Sequence, residues 1–191
     1  MKGYIKIRKK AIEILNSKLS QKLYYHGIHH THDVLHVINQ FIKREKIDTH
    51  TAKLLRIGTL YHDIGFSISN VEHEKLGCEI AEKYMIEYGF NKKDIETVKG
   101  LIIATRIPQT PKNYLEKIIC DADLDYLGRN DFYPISNQLF KELQSFSIIN
   151  DADEWNKIQI QFLENHQYHT EFSQKNRQPK KEKRIEELKQ S

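Results

Sequence analysis

Five of the ten histidines of this 191-residue chain fall between positions 26 and 36: His26, His29, His30, His32 and His36. Two further clusters join them. The pair His62-Asp63 closes the apolar run LLRIGTLYHDIG (residues 54–65), and Asp121, Asp123 and Asp125 punctuate LEKIICDADLDYLG (residues 115–128). Imidazoles and carboxylates together bind divalent ions, and imidazole also moves protons near neutral pH. An HD pair alone means little. At the end of a strongly apolar helix it means more, because a buried ionised carboxylate needs a partner and a cation is the natural one.

Helical spacing sorts the histidines. Val34, Val37, Ile38 and Phe41 follow His30 at intervals of 4, 7, 8 and 11, which places His30 on the inward stripe of a helix over about 31–44. His29, His32 and His36 share the opposite, polar face. Asp123 lies four residues after Ile119 and shares the apolar side with Leu115, Ala122 and Tyr126, while Asp121 and Asp125 flank it. Further helices are expected over about 4–19, 49–64, 71–88, 91–105, 112–127, 132–145 and 151–172. Asn91 with Asp94 reads as an N-cap and acidic first turn, and Gly65, Gly89 and Gly128 read as stops. No strand alternation or internal repeat stands out. The expected fold is all-α, a bundle of seven to nine helices.

The motifs together resemble the HD-domain superfamily of metal-dependent phosphohydrolases. His30, then His62-Asp63, then Asp123 match its H…HD…D signature, and the likeness covers about residues 20–130. YHGIHHTHDV (25–34) is similar to the YHNxxHxxDV segment of cyclic-nucleotide phosphodiesterases, with Gly27 in place of the Asn. EHEKLGCEIA (72–81) and DADLDYLG look like small bacterial predicted HD phosphohydrolases. The resemblance implies an HD-domain-like helical bundle with His30, His62, Asp63 and Asp123 as metal ligands. Asp121 is the fallback fourth ligand or an acceptor orienting a ligand imidazole. The resemblance implies that Asp63 also accepts a proton and that His26 protonates a leaving oxygen. His73 matches a residue near the pocket that contacts phosphate or supports a second metal.

The family's dinuclear members carry further histidines between the third and fourth elements. Here LIIATRIPQTP stands there instead, leaving Arg106, with Lys112, as phosphate clamps. The implied activity is hydrolysis of a nucleotide-like phosphomonoester or phosphodiester, with metal-activated water as the nucleophile. The ion is divalent; Mn, Mg, Fe, Ni, Co and Zn all suit mixed His/Asp ligation. An iron oxygenase would need more ligands than can be counted. A metal-stabilised, non-catalytic binding or regulatory module is the alternative.

Composition limits the other classes. Cys78 and Cys120 are too few for a disulfide scaffold and read as buried thiols. No apolar run approaches the ~20 residues that span a bilayer, so no membrane contact is expected. MKGYIKIRKK is not followed by the apolar stretch of a secretory signal, and a cytoplasmic protein is expected. P-loop, dinucleotide-binding and hydrolase-elbow motifs are absent. The net charge of +4 resides wholly in residues 174–191, so a single domain over 1–173 is expected to carry a basic, charged tail or helix extension. Nucleic-acid contact through that tail ranks below a small-molecule phosphoester as the partner. His166 and His169 are expected at the surface, Trp155 and the tyrosines in the core.

Overall fold

Helix caps and apolar stripes divide the chain into ten α-helices in a computed structural model that describes residues 2–190. They are α1 (Lys2–Lys18), α2 (Ile28–Arg44), α3 (Thr49–Tyr61), α4 (His73–Glu87), α5 (Lys92–Ala104), α6 (Tyr114–Asp123), α7 (Phe132–Ser145), α8 (Ala152–Asn165), α9 (Glu171–Asn176) and α10 (Gln178–Lys189). Two 3₁₀ turns, Ile64–Ser67 and Asp125–Gly128, follow α3 and α6. There is no strand among the described residues, so the all-α expectation holds. Nor is any helix among them long and apolar enough to cross a membrane.

Side chains cap α3, α5 and α6. Asp48 accepts from the N–H groups of His50 and Thr51 to start α3, Asn91 from Asp94 to start α5, and Asn113 from Glu116 to start α6. The Asn91 cap is the one expected from sequence. Three apolar clusters then pack the bundle. Ile7, Leu15, Ile57, Tyr61, Met85 and Val98 join α1, α3, α4 and α5. Val34, Ile38, Phe41, Leu55, Leu101 and Ile119 join α2, α3, α5 and α6. Leu124, Tyr126, Phe132, Leu163 and Leu188 join the second 3₁₀ turn to α7, α8 and α10. Cys78 and Cys120 are buried free thiols.

Two expected helices are broken. The stretch 112–127 stops being α-helical at Asp123, and 151–172 opens at His166 into an extended connection before α9. One buried carboxylate accounts for the second break. Asp121 accepts from the backbone N–H groups of His169 and Thr170, both at 2.8 Å, and from Thr170 Oγ1 at 2.6 Å. Backbone donors given to a distant side chain are not available for an i→i−4 ladder. Beyond it, Arg177 Nε donates to Asp125 Oδ1 at 2.7 Å and pins the start of α10 to the turn after α6.

The charged C-terminal segment is therefore folded. Lys181 is only 2 % exposed. Its Nζ donates to the carbonyls of Leu163, at 2.9 Å, and His166, closing the open end of α8. Arg184 and Lys189 pair with Glu187 and Glu164. Replacing Lys181 by Met keeps the stem and leaves two carbonyls without their donor. Lys181→Met is expected to lower stability by roughly 1–3 kcal/mol, measured by chemical denaturation of the full chain.

Candidate metal centre

Three helix ends converge on one point. His30 lies in the first turn of α2, 6 % exposed, while His29, His32 and His36 of the same helix face water, as the spacing requires. His62 and Asp63 follow α3 directly and are 1 % and 5 % exposed. Asp123 is the last residue of α6. Two glycines let the chain close around the HD pair. A Cβ at Gly65 would lie 1.9 Å from the carbonyl oxygen of His73, and one at Gly77 would lie 2.8 Å from that of Tyr61. Both contacts press α4 against the end of α3.

The donor atoms face one another. His30 Nε2 lies 3.0 Å from Asp123 Oδ1, 3.3 Å from His62 Nε2 and 3.4 Å from Asp63 Oδ2. His62 Nε2 lies 3.2 Å from Asp63 Oδ2 and 3.3 Å from Asp123 Oδ1. Donors held ~2.1 Å from a single ion are about 3.0 Å apart at right angles and about 3.4 Å apart at the tetrahedral angle. These separations match that spacing.

The hydrogen bonds also match it. His62 Nδ1 donates to the carbonyl of Thr59 at 2.7 Å, so the neutral ring turns the Nε2 lone pair into the cluster. Asp63 Oδ2 is buried with no hydrogen-bond partner of acceptable geometry. Burial opposes charge on His62, but Asp63 and Asp123 outweigh it and raise its pKa well above the ordinary imidazole value. Burial likewise opposes ionisation of Asp123, yet the facing imidazoles hold its carboxyl down at about 2. Asp63 is held still lower, by His62, His26 and His30. The field that draws protons to this spot draws a metal cation equally, so the donor set fits a divalent ion.

A cavity of about 250 Å³ opens beside the cluster, with His26, Asp63, His73, Glu74, Thr105 and Asp123 in its wall. Phe66 is sandwiched between the rings of His26 and His73, at centroid distances of 4.4 and 4.0 Å. His73 Nε2 lies 3.5 Å from Asp63 Oδ1. The ring of His26 is fixed from behind by Glu142 on α7. That carboxylate accepts from the N–H groups of Tyr25, at 2.8 Å, and His26, at 2.9 Å, and pairs closely with His26 Nδ1. Sequence reasoning missed both Phe66 and Glu142. Glu142 had a signal, since an acid three residues after Leu139 and seven after Ile135 sits on the apolar stripe of α7.

Four expectations are corrected. Asp121 is not at the centre, because both its oxygens are taken by His169 and Thr170. Arg106 is exposed just beyond α5, and its neighbours Thr105 and Ile107 occupy the cavity wall instead. Lys112 is exposed ahead of α6, whose ten residues span about 15 Å, while Asp123 ends that helix. His166 is buried rather than at the surface. Burial and the nearby Lys181 push its pKa down to about 3, and it stands outside the wall that holds Asp63 and Asp123.

The HD domain family model matches residues 27–125, a span that runs from the start of α2 to the turn after α6 and includes His30, His62-Asp63 and Asp123. The chain belongs to the HD domain family, the superfamily of metal-dependent phosphohydrolases that its motifs resemble. Among curated proteins and solved structures nothing matches it.

Two outcomes are expected. Saturating Mn²⁺ raises the unfolding free energy of the wild-type chain, by about 2.7 kcal/mol at a hundredfold excess over Kd, and Asp63→Asn abolishes the rise; thermal scans with and without chelator read this. Gly65→Ala, which forces α4 away from the HD pair, lowers stability by roughly 1–3 kcal/mol and weakens the Mn²⁺-dependent shift in the same scans.

Proposed function

We propose that the chain is a metal-dependent phosphohydrolase acting on a phosphomonoester or phosphodiester, with His30, His62, Asp63 and Asp123 as metal ligands. The observation that carries this reading is the meeting of His30, His62 and Asp123, with each imidazole nitrogen also within 3.4 Å of Asp63 Oδ2, beside an open cavity. A divalent ion held there supplies activation of water and neutralisation of phosphoryl charge.

The chain's own residues divide the remaining work. The two oxygens of Asp63 have different surroundings, Oδ2 facing His30 and His62 and Oδ1 facing His73. Oδ2 would hold the ion, and Oδ1 would accept a proton from the attacking water. With Nδ1 engaged by Glu142, His26 keeps Nε2 for the substrate. The water oxygen bonds to phosphorus, the bond from phosphorus to the leaving oxygen breaks, and His26 delivers a proton to that oxygen. His73 and Thr105 stand in the wall where phosphoryl oxygens lie. Arg106 and Lys112 stand outside that wall. A nucleotide-like organic group is supported only by the likeness of residues 25–34 to phosphodiesterases.

The test pairs elemental analysis with hydrolysis of a phosphoester panel in Mn²⁺, Mg²⁺, Fe²⁺, Co²⁺, Ni²⁺ or Zn²⁺. The wild-type chain is expected to hold near-stoichiometric metal and to turn over a phosphoester. His62→Ala loses both. His26→Ala keeps the metal while kcat falls about 10²–10⁴-fold, and Glu142→Gln shifts kcat in the same direction by less. Undiminished turnover in His62→Ala would overturn the reading.

A further inference from the structure

The cavity has two unlike ends. One carries the carboxylates and imidazoles described above. The other is formed by α7 and α8, which face each other across it. Phe132, Leu139 and Leu143 recur at intervals of seven and four along one side of α7, and Trp155, Ile158 and Phe162 at three and four along one side of α8. Two amphipathic helices that meet in a core normally fill each other's grooves. These leave about 250 Å³ between them and the metal centre, whereas ~150 Å³ already accommodates a benzene molecule. Ile158, 40 % exposed, and Ile107, 52 % exposed, mark the mouth.

The charges in the wall are equally one-sided. Its acids are Asp63, Glu74 and Asp123, and no lysine or arginine stands in it. Beyond the phosphate at the ion, a second or third phosphate would meet no lysine or arginine in this wall, only Glu74 and the imidazoles of His26 and His73. At the α7–α8 end Ser136 and Gln159 are already paired, and Trp155 Nε1 is a buried donor without a partner. Ser136 Oγ donates to Gln159 Oε1 at 2.9 Å, and Gln159 Nε2 donates to Asn156 at 3.4 Å. The several hydroxyls of a ribose and the edge of a base buried there would find that one indole donor and few other free partners, and buried polar groups without partners are unfavourable.

We propose that the site takes a phosphomonoester whose organic group is apolar, an alkyl or simple aromatic alcohol, with that group lodged between α7 and α8. This rests on the phosphohydrolase reading for the phosphate end and narrows its substrate class at the other. The single phosphate meets the ion held by His30, His62, Asp63 and Asp123, and the hydrocarbon leaves water for the leucine and aromatic wall.

Trp155 is the only tryptophan in the chain and stands in this wall, so its fluorescence reports occupancy without any turnover. The experiment titrates the full-length, Mn²⁺-loaded protein with n-alkylphosphonates from methyl to octyl and with adenosine monophosphate. The expected result is a change in Trp155 emission and a Kd that falls about fourfold per methylene until the cavity is full, with octylphosphonate binding more tightly than the nucleotide. Ile158→Asp, at the half-open mouth, is expected to weaken octylphosphonate at least about tenfold relative to methylphosphonate. Leu139→Ser provides the same comparison if that variant does not fold.

Methylphosphonate binding with no dependence on chain length, or a nucleotide that binds more tightly than every alkylphosphonate, overturns the apolar-substrate proposal and leaves the phosphohydrolase reading intact. Length-dependent binding combined with no turnover of any phosphoester overturns the phosphohydrolase reading and leaves the pocket assignment standing.

Discussion

The structure turns on one electrostatic constraint. Two carboxylates and two imidazoles occupy the meeting point of α2, α3 and α6, almost sealed from water. The neighbouring clusters are built of valine, leucine, isoleucine and phenylalanine and cannot solvate charge. Such a group is tolerable only if its members share a positive charge among them. The orphaned Oδ2 of Asp63 and the inward lone pair of His62 locate that charge between the side chains rather than on a lysine or arginine. Much of the N-terminal two-thirds serves to bring His30 and His62 within 3.4 Å of each other and of one oxygen of each carboxylate, Asp63 and Asp123.

The other buried acids are used on the chain itself. Positions two apart on a helix differ by about 200°, so Asp121 and Asp123 point to opposite sides of α6, while Asp125 stands in the 3₁₀ turn that follows. Asp123 turns to the imidazoles, Asp121 to the backbone at His169 and Thr170, and Asp125 to Arg177. The outer two thereby tie the C-terminal helices to the end of α6. Glu142 does the corresponding work from α7, holding the backbone and ring of His26. The last third of the chain is thus part of the site. It orients the ring of His26 and forms the apolar end of the cavity.

That division gives the cavity its character. Its phosphate end is made by helix termini, where polar side chains and turns leave room for an ion. Its other end is made by the middles of α7 and α8, where the side chains are hydrocarbon. The wall holds three carboxylates and two imidazoles and no lysine or arginine, and all five stand at one end of it.

Periodicity along the chain determined a good deal. It separated His30 from His29, His32 and His36, because angle around a helix axis is a local property. It placed the HD pair at the end of a buried helix, put Asp123 rather than Asp121 on the apolar side, and located the Asn91 cap. The H…HD…D order was enough to indicate the family. What periodicity does not carry is distance between elements. Arg106 and Lys112 are close in sequence to site residues yet lie outside the wall, and Glu142 is 116 positions from His26 yet holds its ring. The break within 151–172 was hidden for the same reason, since the carboxylate that takes the backbone N–H groups of His169 and Thr170 belongs to Asp121, on another helix. Helix packing brings such partners together, and a buried charge takes whichever donors that packing leaves within reach.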